Sequence, residues 1–121
     1  MSKVISDTVY DAALDRAALA NRMHLCNGQP TSWADVLTRS VGALTVNTTH
    51  FTKADGDTSG RKLTVAVQSG FSIIRTSTLD HVAFIDSTVF LGATTHPVVA
   101  VTSGDARNTN AFDFMEIRDP T

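Results

Sequence analysis

The sequence predicts a mainly β domain: an antiparallel β-sandwich of about seven strands with one N-terminal α-helix packed on it. Three observations predict it. Glu116 is the only glutamate against eleven aspartates, and serine and threonine abound, so straight-chain helix formers give way to β-branched and turn-prone residues. Beyond Arg39 apolar residues alternate with polar ones, and turn residues recur about every eight to twelve positions, the rhythm of a sandwich or barrel. Only the segment before that point has a helical period.

That helix is predicted over residues 7–21. Tyr10, Ala13, Leu14, Ala17 and Ala18 fall on one face, Ser6 or Asp7 can cap the start, and the early aspartates suit the positive end of the helix dipole. Its small alanines allow close approach to a sheet. Met23 to Cys26 reads as a short strand closed by the turn Asn27-Gly28-Gln29-Pro30. A second, short helix follows over residues 32–38, with Ser32 and Asp35 at capping spacing and Trp33 and Leu37 available to pack inward.

The strands come next. Leu63, Val65 and Val67 alternate with polar neighbours, and Ser69-Gly70 leads into Phe71 and Ile73, which reads as a hairpin. Val82 and Phe84 mark a strand that Asp86-Ser87-Thr88 turns back into Val89 to Thr94. Val98 to Thr102 is a further strand, and Ser103-Gly104-Asp105 turns the chain towards Ala111 to Arg118. In that last strand Phe112 and Phe114 are expected on one face and Met115 and Ile117 on the other. With no fixed-period repeat, linker or composition shift, residues 1–121 are expected to form a single domain.

Composition narrows the function classes. The chain is 42% hydrophobic and 18% charged with a net charge of -2, near globular averages, and its 12.9 kDa suits one core. Ten lysines and arginines are scattered and outnumbered by twelve acids, so no specific nucleic-acid partner is expected. Apolar runs such as Val98 to Val101 fall far short of the ~20 residues that span a bilayer, so no membrane partner is expected either. Asp7 and Asp11 interrupt the stretch a secretory signal would need, which points to synthesis in the cytoplasm. Cys26, the only cysteine, excludes an intramolecular disulfide framework and a multi-cysteine zinc site.

Four features of the sequence bear on chemistry. Asp55-Gly56-Asp57-Thr58-Ser59-Gly60 matches the first half of a calcium loop, but Ala66 stands where the closing glutamate belongs, so a polar turn is expected there. His24, His50, His81 and His96 show no pair at ligand spacing, and none is expected to act as a general base. Cys26 could pair with a distant histidine as a thiolate, yet it ends an apolar strand and reads as a buried thiol. Tyr10, Trp33, Phe51, Phe112 and Phe114 are mostly core, with one or two left as partner contacts. The residues nominate no catalytic, cofactor-binding or metal site, and an enzyme is not expected.

The opening Ser2-Lys3-Val4-Ile5-Ser6-Asp7 before the alanine-rich helix, the turn Cys26 to Pro30, the stretch Ala54 to Leu63 and the ending Glu116 to Pro120 together resemble a group of small virion structural proteins of tailed bacteriophages. The resemblance covers most of the chain. It implies a head-decoration or other head-associated protein, with a tail, baseplate or fibre-associated binding module as the alternative. It further implies residence in the virion, partners among the major capsid or tail proteins, and a homo-oligomer. Met1 to Ile5 and Arg118 to Thr121 would then serve as arms onto a neighbour.

Overall fold

The structure, a computed structural model, describes residues 4–119. Helix α1 (Asp7–Ala17) begins under Ser6, whose hydroxyl accepts the Thr8 N–H, and buries Tyr10, Leu14 and Ala17. Ala13 stays exposed. The helix stops four residues short of the predicted end, because Ala18, Leu19 and Ala20 form tight turns and the Asn21 backbone joins the ladder, donating to Ile85 O and accepting from Val46 N.

Then follow β1 (Arg22–Cys26), α2 (Trp33–Arg39), β2 (Ser40–Thr45), a 3-10 turn at Thr48–His50, β3 (Phe51–Asp55), β4 (Arg61–Val65), β5 (Gln68–Ile73), β6 (Ser77–Asp86), β7 (Val89–Val101), β8 (Ala106–Thr109) and β9 (Phe112–Ile117). They form an antiparallel six-stranded sheet, β7-β6-β1-β2-β5-β8, and an antiparallel three-stranded sheet, β3-β4-β9. The larger sheet curls and the smaller covers it, a sandwich-like fold of two antiparallel layers. Among the described residues no helix is long and apolar enough to cross a membrane.

Alternation in the central strands faces two ways. Met23, Leu25, Val82 and Phe84 enter the main core with Leu14, Phe51, Leu63, Phe71 and Phe114, while Cys26, Ala83 and Ile85 turn to the opposite face and pack with Val36 of α2. Phe84 is the hub of the aromatic cluster, with ring centroids 5.5 Å from Phe51, 6.2 Å from Phe112 and 4.3 Å from Phe114. Such tilted and edge-on pairs add to the area each ring buries. Ion pairs Asp11–Arg61, Asp15–Lys53 and Arg16–Asp86 tie α1 to β4, to β3 and to the end of β6.

Several local expectations change. The hairpin predicted from Leu63 to Ile73 does not form, since β4 pairs with β3 and β9 whereas β5 pairs with β2 and β8. Two residues, Ala66 and Val67, carry the chain from one sheet to the other. Ser69-Gly70 lies inside β5 as a bulge, with Gly70 at a φ of 91°. The strands predicted at Val89 and Val98 fuse into β7, which bulges around His96-Pro97 opposite Asp80. Proline is tolerated because β7 is an edge strand. In β9 a bulge falls at Phe114, so Phe112 and Phe114 face the core and Met115 and Ile117 pack against it as well. In α2 it is Val36 that turns inward, leaving Trp33 and Leu37 exposed. The Ser32 hydroxyl accepts from Asp35 N–H and the Asp35 carboxylate from Thr31 N–H, which sets the rotation of this two-turn helix.

Candidate binding cleft

The residues weighed for chemistry are scattered over the fold and mostly held by their own neighbours. In the β3–β4 loop, Asp55 accepts from Arg61 and Asp57 from Lys62, while Gly56 N–H donates to Gly60 O and closes the turn. The Lys62 ammonium holds the Asp57 carboxyl below its usual range. Both carboxylates therefore serve as ion-pair partners within a hairpin turn.

His24 lies on the α2 face of β1 and is buried, which lowers its pKa to about 4, with Arg22 adding to the effect. Its Nδ1 sits 2.8 Å from Ser40 Oγ. Ser40 Oγ also lies 3.2 Å from Gly42 O, so the hydroxyl links the ring to the β2 backbone. His24 and His81 do not pair, because the register sets His24 across from Ala83 and His81 across from Cys26. His81 instead bonds Asp80 Oδ1 at 2.8 Å, and that oxygen also accepts from Gly28 N–H at 2.6 Å. Cys26 is fully buried, which pushes its thiol up to about 12 and removes the thiolate on which nucleophilic chemistry depends. His50 caps the 3-10 turn through the Asn47 N–H, and the His96 Nδ1–H donates to Pro97 O. Among the described residues no three His, Cys, Asp or Glu side chains converge as a metal site.

Asp119, the last described residue, is fastened to its own domain. Tyr10 Oη donates to Asp119 Oδ1 at 2.8 Å, Asp119 N–H donates to Ser59 Oγ, and Ile5 N–H reaches the same carboxylate. Burial and that carboxylate push the Tyr10 phenol up to about 12. Arg118 and Asp119 are thus tied within the subunit, Val4 and Ile5 of the other expected arm are exposed, and residues 1–3 and 120–121 lie outside the described residues.

Among the described residues, unpartnered polar atoms gather in a place that no sequence motif marks. Where the large sheet curls, its two edges approach and frame a cleft of about 440 Å³ between the β7 bulge at Thr95-His96-Pro97 and the run Arg107 to Phe112. Val82 and Phe112 contribute apolar wall. Thr109 is 3% exposed, and among the described residues its hydroxyl has no hydrogen-bond partner, nor has the buried Arg107 Nε. Asn108 Oδ1 accepts from Gly70 N–H, which fixes the amide and leaves its Nδ2 hydrogens available. Nothing in the spacing of these residues announces the cleft, since bulge and strand meet only through the curl of the sheet. No family model, curated protein or solved structure matches the chain.

Proposed function

We propose that the chain is a structural subunit of a tailed-phage particle, a head-decoration protein that docks on the capsid lattice in many copies. The observation that carries this reading is the free edge of β7. This thirteen-residue strand is paired on one side with β6 and, among the described residues, on its other side with no strand. It displays Val98 at 76% exposure and Val89 at 46%. A long edge with exposed apolar residues is a template for pairing with another chain. The resemblance of the opening, loop and closing segments to small virion proteins supports the same reading, and a specific contact would bury on the order of 1,000 Å² in total.

Substituting Val98→Lys places a charge on that edge while leaving the core untouched. Particles assembled with the variant should carry at least tenfold fewer copies than wild type, the circular dichroism of the free protein being unchanged. Full occupancy by the variant would remove the β7 edge from the account. Labelled antibody found on tails and absent from heads would replace the head assignment with the tail or baseplate one.

A further inference from the structure

We propose that the cleft between β7 and β8 is a binding site for a single carboxylate group. The proposal stands on the cleft alone and does not depend on where the protein resides. Arg107 is half-buried, and among the described residues it forms no ion pair and no side-chain hydrogen bond, whereas Arg16, Arg39, Lys53, Arg61, Lys62 and Arg118 all pair with acids. A guanidinium withdrawn from water without a carboxylate is costly, and its planar fork of donors matches two carboxylate oxygens at once.

The other polar groups of the cleft complete an acceptor's environment. Thr109 lines the cleft, and its buried hydroxyl has no partner among the described residues, so an oxygen bound against it would satisfy that group. Asn108 adds amide hydrogens whose orientation the Gly70 bond sets, and Asn110 stands at the same wall. One fixed positive charge surrounded by neutral donors suits a carboxylate group, with its single charge, better than a phosphate group, which gathers several cations. The volume, about 440 Å³, lies within the usual range of small-ligand sites and admits either a free small organic acid or an aspartate or glutamate side chain carried on a partner segment.

The test is an NMR titration of the labelled protein with two carboxylates, succinate and the blocked peptide acetyl-Gly-Asp-Gly-amide, against two controls, succinamide and inorganic phosphate. We expect saturable shifts of the Arg107 Nε–H and the Asn108 side-chain amide with a carboxylate and none with succinamide. Binding should weaken at least tenfold in Arg107→Gln and about threefold in Thr109→Val, which keeps the side-chain shape and tests the site even if Arg107→Gln fails to fold. Tighter binding of the peptide assigns the carboxylate to a partner segment, and tighter binding of succinate assigns it to a free acid. No saturable response to either carboxylate up to about 10 mM, an equal response to succinamide or phosphate, or undiminished binding by both variants would overturn the proposal.

Discussion

His24 makes the fold sensitive to acid. Because burial lowers its folded pKa to about 4 from the ordinary 6.5, the unfolded chain takes up a proton at a higher pH than the native one does. The contribution to stability is therefore complete above pH 6.5 and is lost as pH falls towards 4, where the loss levels off because both states are then protonated. The loss should amount to about 2–3 kcal/mol. Urea unfolding at pH 7 and pH 4.5 would show it, and the difference should shrink in His24→Gln; an equal pH dependence in that variant would assign the acid sensitivity to other groups. At this scale the sequence was partly legible. Cys26 reads as buried because it ends an apolar strand, and Phe114 reads as core because aromatics are few. Arg107 and Thr109 carry no such signal, since a lone arginine and a lone threonine in a polar run look like any solvated edge.

Among the elements, the turns were more legible than the pairings. At the expected Asp86-Ser87-Thr88 turn, Ser87 and Thr88 form the two-residue loop of the β6–β7 hairpin, with Ser87 at a φ of 55°, and Ser103-Gly104-Asp105 turns as expected with Gly104 at 95°. What alternation cannot show is a bulge: one extra residue at Phe114 brings Phe112, Phe114, Met115 and Ile117 all to the core, and Gly70 reads as a turn although it lies inside a strand. Nor can it show the partner of a strand, which is why β4 and β5 read as a hairpin. The described residues hold nine strands where the pattern counts about seven, because β3 and β8 are short and polar, β2 carries Gly42 in its middle without clear alternation, and two runs fuse into β7. The β3–β4 turn depends on Gly60, whose φ is 70° and whose Cβ, if present, would fall on the Ile117 carbonyl oxygen of β9. Gly60→Ala should destabilise by about 2–3 kcal/mol, read as a lowered urea midpoint. A stability change below about 0.5 kcal/mol would mean that the turn relaxes without disturbing β9.

For the molecule as a whole, mainly β architecture with one helix at the N-terminus follows from period and composition, whereas the order of strands within the sheets does not. The β1 strand lies between β2, its neighbour in sequence, and β6, some sixty residues on, and β4 likewise waits for β9. Non-local pairing of this kind slows folding, so refolding from urea should take milliseconds to seconds, and a microsecond relaxation would contradict the topology. The same strand order sets a timetable for the chain as it leaves the ribosome. Once β1 and β2 have emerged they can join, but the other side of β1 keeps its backbone groups unpaired until β6 follows, at about 5–20 residues per second. For those seconds the middle of the future sheet is an open seam. Chains translated side by side on one message have that interval in which to pair with each other instead of with themselves.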